Sequence, residues 1–103
     1  MSTFRCKPHC LAMSESSPFG QKYAYGSEHS LDVSVTEEYF ISQAGRFRAG
    51  DEIRVTQHET SDQKSKIIAF AEILVVGGGK DLEFYLMRKP TRVRVAESAK
   101  KAA

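Results

Sequence analysis

The segment from Lys66 to Val76 constrains the fold of this chain more than any other. It is rich in β-branched side chains, which disfavour a helix and favour a strand. Alternate residues along it give one wholly apolar face: Ile67, Ala69, Ala71, Ile73 and Val75. Glu72 interrupts the opposite face. We therefore predict a strand with one face in the core and the other against solvent or a polar partner.

Further short strands are predicted from residue 31 onward, where apolar and polar residues alternate. These strands are Leu31–Val35, Glu52–Thr56, Leu82–Met87 and, after Pro90, Thr91–Val95. Glu37–Ile41 is either a strand or a helical turn, and the three glycines of Gly77–Asp81 predict a hairpin connection. Five or six such strands predict an all-β domain over residues 31–95. We expect a small barrel or curled sandwich, of SH3-like or OB-like size.

Residues 1–30 show neither helical nor strand periodicity and are rich in Ser, Gly, Pro and His. We predict an extended N-terminal arm, which lacks the apolar content to fold alone and takes its order from adjacent molecules. Its aromatic residues are the predicted anchors at a protein interface: Phe4, Phe19, Tyr23 and Tyr25. Residues 96–103 are predicted to be a basic C-terminal tail.

Length and composition exclude several classes of protein. A chain of 103 residues has room for one core, and 41% hydrophobic content is too high for a wholly disordered protein. No apolar run reaches the roughly 18 residues that span a bilayer, and no signal peptide is recognisable at the N-terminus. The cysteines, Cys6 and Cys10, are too few for a secreted disulfide framework. We expect a protein made in a reducing cytosol, with no membrane partner.

Candidate chemical sites are few. Cys6, His9 and Cys10, with His29, offer sulfur and imidazole ligands that suit zinc, but their spacing departs from paired two-residue knuckles, so the sequence disfavours a metal site without excluding it. The third histidine, His58, lies in a predicted loop, whereas His9 and His29 lie in the predicted arm, and no Gly-x-Ser-x-Gly motif occurs. We predict no catalytic residue, no cofactor and no enzymatic activity.

Basic residues mark one candidate binding surface. The net charge is +2, but residues 88–103 hold six Lys and Arg against one Glu, a balance of +5. The predicted contacts to nucleic acid or to an acidic partner are Arg54, Arg88, Lys89, Arg92 and Arg94. Small β-barrels often bind single strands through basic grooves. Acidic residues dilute this surface, so nucleic-acid binding is the alternative to the leading interpretation, assembly with other proteins through the arms.

Three segments carry a resemblance to a known class of proteins. At Glu38–Ile41, Arg46–Val55 and Ala71–Val76 the chain resembles small β-domain proteins encoded by tailed bacteriophages. In these a Tyr-Phe segment leads to an Arg-x-Gly-Asp turn, a barrel strand and then an Ala-Glu-Ile/Leu-Val-Val strand. The resemblance implies a virion structural protein that decorates, cements or joins a phage particle assembled in the host cytoplasm. It also implies many copies, or a homo-oligomer, bound to a major capsid, portal or tail protein, and no catalytic residues.

Overall fold

The computed structural model describes residues 5–62 and 64–93, and its strands form one mixed sheet. The five strands are β1 (Leu11–Ser17), β2 (Gly20–Ser27), β3 (Glu52–His58), β4 (Ile67–Gly77) and β5 (Glu83–Arg92). They lie in the order β1-β2-β3-β4-β5. Neighbouring strands are antiparallel except β2 and β3, which run parallel. The prediction of a small all-β domain is confirmed.

Short helices connect β2 to β3, because two parallel neighbours need a crossover connection. This crossover comprises α1 (Leu31–Ser34), α2 (Glu37–Phe40) and a 3-10 helix over Ile41–Arg46; further 3-10 turns are Pro8–Cys10 and Gly79–Asp81. The Ser30 side chain accepts the Asp32 N–H, and the Thr36 side chain accepts the Tyr39 N–H. The strand predicted over Leu31–Val35 is wrong: Ser30 caps a helix that begins at Leu31 itself, and the alternating pattern is only five residues long.

The core lies between the crossover and one face of the sheet, which we call the covered face. Phe40 from α2 is fully buried at its centre. Its ring makes edge-to-face contacts, with centroids 5.2–5.9 Å apart, to the rings of Tyr25, Tyr39, Phe47 and Phe84. The strands contribute further buried side chains: Tyr23, Ile53, Val55, Ala71, Ile73 and Val75. The apolar face predicted for β4 is therefore confirmed from Ala69 to Val75 and is wrong at Ile67, which is 44% exposed at the start of the strand.

The prediction of an extended arm over residues 1–30 is wrong for residues 11–27, which form β1 and β2. Tyr23 and Tyr25 are 4% and 2% exposed in the core, so they are not interface anchors. β2 pairs with β3 along Lys22–Ser27, so its backbone N–H and C=O groups have hydrogen-bond partners in the sheet. The pairing also buries the alternate side chains Tyr23 and Tyr25. The chain thus supplies the core for these residues itself. Phe4 and the predicted tail over residues 96–103 lie outside the described residues.

The two strands predicted on either side of Pro90 are one strand, β5. Within the described part of the chain β5 pairs only with β4, so it forms an edge of the sheet. An edge strand tolerates proline because the backbone on its outer side has no ladder partner to lose. The hairpin predicted at Gly77–Asp81 is confirmed, since it joins the antiparallel strands β4 and β5.

Candidate macromolecular interface

The second face of the sheet is left uncovered by the elements between residues 5 and 93 that the structure describes. Strand alternation places Ile53 and Ile73 on the covered face and therefore places Arg54 and Glu72 on the second face. We call this surface the open face. Its residues are Glu15, Lys22, Ala24, Glu52, Arg54, Phe70, Glu72, Leu74, Tyr85, Met87 and Arg88.

A carboxylate between two guanidinium groups lies at the centre of the open face. Glu72 Oε2 is 3.4 Å from Arg54 Nη2, and Glu72 Oε1 is 3.8 Å from Arg88 Nε. The Arg88 guanidinium also lies 5.6 Å from the centroid of the Phe70 ring. Both arginines are more than half exposed, so these ion pairs add little to the free energy of unfolding. The main effect of these ion pairs is to keep a negative group between two positive groups on this surface.

The charges meet because the sheet register brings three distant segments together. Arg54 on β3 pairs with Glu72 on β4, and Glu72 pairs with Arg88 on β5. The polar partner predicted for the outer face of β4 is thus supplied within the chain. Strand alternation placed Arg54 and Glu72 on outward faces, but the β4–β5 register contains bulges and cannot be read from alternation alone.

Apolar groups and a concavity complete the open face. Tyr85 is 62% exposed and Met87 is 43% exposed. A cavity of about 340 Å³, which we call the socket, opens beside Met87 and Ala24. Its charged lining is Glu15, Glu52 and Glu72 against Lys22 and Arg54. The lining therefore carries a formal charge of two positive and three negative groups, or −1.

The other predicted contact residues lie in different places. Lys89 and Arg92 are exposed on β5, beyond the bulge that positions Arg88. Arg94, like Phe4, is outside the described residues. Phe19 is 91% exposed at the turn between β1 and β2, as an interface residue requires. The structure therefore brings Arg54 and Arg88 together through Glu72 and places Phe19 on a separate surface.

The residues that sequence reasoning assigned wrongly did carry a signal. In β2, Tyr23 and Tyr25 alternate with Lys22 and Ala24, which is a half-buried strand pattern. The Ser17–Gly20 segment before it contains the Pro and Gly of a turn. The polar residues of β1 and of the surrounding segment hid this short pattern.

Side-chain contacts within the fold account for His58, His29 and Cys6. The ring nitrogens of His58 bond to the Thr56 hydroxyl and the Ser65 carbonyl, each at 3.0 Å. Burial lowers the pKa of His29, whose Nδ1 bonds to the Tyr39 hydroxyl. Burial likewise raises the pKa of the Cys6 thiol, so it stays protonated at neutral pH. Within residues 5–62 and 64–93, no group of three or more His, Cys, Asp or Glu side chains is placed to hold a metal ion.

Comparison of the chain with protein families, curated proteins and solved structures finds no match. None of the helices in the described segments has the length and apolar character needed to cross a membrane.

Proposed function

We propose that this protein is a non-enzymatic structural protein that joins a larger protein assembly, and that the open face is its contact surface. The observation that supports this most is the Arg54–Glu72–Arg88 array beside the exposed side chains of Tyr85 and Met87. Tyrosine, methionine and arginine are enriched at protein interfaces. A residue set of this kind, on a sheet face, suits recognition of another folded surface.

The charge pattern favours a protein partner over nucleic acid. A phosphate that approached Arg54 or Arg88 would also approach the carboxylate of Glu72, which already forms an ion pair with each guanidinium group. Phosphate backbones carry one sign of charge, whereas a protein surface can present both signs in register with this array. The exposed Lys89 and Arg92 favour the alternative, a nucleic-acid contact at the end of β5.

The phage particle is the setting that the sequence resemblance implies, and it is part of the proposal. A major capsid, portal or tail protein would then be the partner, in many copies within a virion. Because residues 11–27 belong to the sheet, the proposed contact uses the open face instead of an arm over residues 1–30. Repetition in a lattice strengthens a contact of modest area through multivalency.

The proposal is tested by following an epitope-tagged chain in lysates of its native cells on a glycerol gradient. We expect the wild type in fractions far heavier than its 11.5 kDa. Tyr85→Arg should migrate as a monomer, because it places a cation beside Arg88 and removes an exposed aromatic ring. Ser61→Arg, in the β3–β4 loop, adds the same charge away from the open face and should stay in the heavy fractions.

Nuclease treatment separates the two partner classes. Heavy fractions that persist after complete digestion of DNA and RNA support a protein assembly, whereas their loss supports the nucleic-acid alternative. The proposal is overturned if the wild type migrates as a monomer, or if Tyr85→Arg stays as heavy as the wild type. Circular dichroism of purified Tyr85→Arg establishes that the variant is folded.

A further inference from the structure

The turn between β1 and β2, which we call the tip, presents a large apolar side chain to solvent. Phe19 is 91% exposed there, more than any other large hydrophobic side chain of the described residues. The Ser17 hydroxyl donates to the Gly20 carbonyl at 2.8 Å and accepts the Phe19 N–H at 3.2 Å. These bonds close the turn locally, so Phe19 is displayed from a defined backbone.

The tip is also held against the turn that precedes β3. Gly20 and Gly50 both have positive φ, at 145° and 100°. A Cβ on Gly20 would lie 2.4 Å from the Gly50 carbonyl oxygen, and a Cβ on Gly50 would lie 2.9 Å from the Phe19 carbonyl oxygen. Backbone therefore packs on backbone, as glycine allows. An apolar side chain on a fixed backbone loses less conformational entropy on binding than one on a flexible loop, which favours Phe19 as an interface anchor.

The exposed charge around the tip is positive. Arg46 and Arg48 line a recess of about 400 Å³ beside Phe19, and both are exposed. Asp51 lines the same recess but is buried. Its carboxylate oxygens accept the N–H groups of Gln21 and Arg48, each at 3.0 Å. The recess carries two positive groups and one negative group, or +1, against the −1 of the socket.

We propose that the tip of one copy of this chain seats in the socket of a second copy. Phe19 would enter the cavity beside Ala24 and Met87, and Arg46 and Arg48 would face the carboxylates of its lining. The opposite formal charges of the two surfaces, and the apolar Ala24 and Met87 in the socket, favour a second copy as the occupant. This inference rests on the proposed function, since it names the partner of the open face.

The proposed contact joins two different surfaces of the molecule. The tip lies at the start of β2, whereas the socket lies on the open face. One copy can therefore offer its tip to one neighbour and its socket to another. Such head-to-tail contacts build rings or filaments and do not stop at a dimer. A structural protein present in many copies would use that property.

Sedimentation velocity of the purified full-length chain, over a concentration series, tests the contact. We expect the wild type to form species larger than a dimer. Phe19→Ser removes the anchor and Ala24→Arg places a cation in the socket, and each should weaken self-association by roughly tenfold or more. An equimolar mixture of the two variants should recover one contact, because one variant keeps its socket and the other keeps its tip. That mixture should stop at a dimer.

Ser61→Arg serves as the charge-matched control and should associate like the wild type, while circular dichroism checks that every variant is folded. The inference is overturned if the wild type stays monomeric throughout, or if the two variants associate like the wild type. It is also overturned if the mixture stays monomeric while the wild type associates. If the purified wild type is monomeric but still enters heavy, nuclease-resistant gradient fractions that Tyr85→Arg leaves, only the copy-to-copy contact fails. The open-face function then stands with a different protein partner.

Discussion

The two faces of the sheet differ although the same strands build them. On β4, Ile73 is fully buried on the covered face, while its neighbour Glu72 forms ion pairs with two arginines on the open face. The covered face gains its free energy from removing apolar area from water, at about 25 cal/mol per Å². The open face holds partly exposed ion pairs that contribute roughly 1 kcal/mol or less each. Folding thus depends on one face, which leaves the other available for binding.

The largest expected effect compares adjacent residues of β4 that lie on opposite faces. Ile73→Ala should lower the free energy of unfolding by about 3 kcal/mol, because it removes a fully buried side chain and leaves a cavity. Leu74→Ala, on the open face, should cost roughly 1 kcal/mol. Urea denaturation of both variants measures the difference. Equal losses would mean that the open face is as important to folding as the core.

A smaller effect compares tyrosine hydroxyls on the two faces. The Tyr25 hydroxyl lies 2.7 Å from the Tyr39 hydroxyl and accepts the Lys7 N–H at 2.9 Å. Tyr25→Phe removes both bonds and leaves the Lys7 N–H without this acceptor, although the Tyr39 hydroxyl keeps its bond to His29, and should cost about 1–2 kcal/mol of unfolding free energy. Tyr85→Phe, at a mostly exposed ring, should change it by less than about 0.5 kcal/mol. Thermal denaturation distinguishes the pair, and a neutral Tyr25→Phe would contradict the importance of this network.

The smallest effect is a pH dependence that the covered side should show. Burial lowers the pKa of His29, near Glu28 and Lys7, while its ring contacts Tyr39. As the pH falls below about 6.5, His29 therefore takes up a proton in the unfolded chain before it does so in the folded chain. Above about pH 6.5 this histidine does not reduce the free energy of unfolding. As the pH falls from about 6.5 towards the lowered pKa of the folded state, the free energy of unfolding decreases. We expect the melting temperature to fall by roughly 2–4 °C between pH 7.5 and pH 5.5.

Two histidine variants isolate that effect. His29→Gln should flatten the decline, because the side chain no longer titrates. His9→Gln, at an exposed position, should keep the decline of the wild type. The hydrogen bond from Lys7 lowers the pKa of Glu28. The contribution of this ion pair to stability is therefore lost only below about pH 4.3, the pKa of a glutamate in the unfolded chain, and does not affect the pH range of this measurement. An unchanged decline in His29→Gln would show that another group causes it.

Local pattern was enough to predict some of this molecule. The alternation of β3 and the centre of β4, the glycine-rich hairpin before β5, and the polar outer face at Glu72 all follow from residues adjacent in the chain. Side chains that alternate must lie on opposite faces of a strand, whatever the strand pairs with. Phe19 is exposed, so its interface role stays a prediction, and the turn that displays it was not predicted.

Other features depend on contacts between distant segments. The parallel pairing of β2 with β3 is one such feature, and it needs the crossover between them. The burial of Tyr23 and Tyr25 is another, because the crossover packs on that face of the sheet. The meeting of Arg54, Glu72 and Arg88 depends likewise on register across three strands. Alternation along a strand records which side chains share a face. It does not record which strand lies beside it or at what offset, because those are set by the packing of the whole core.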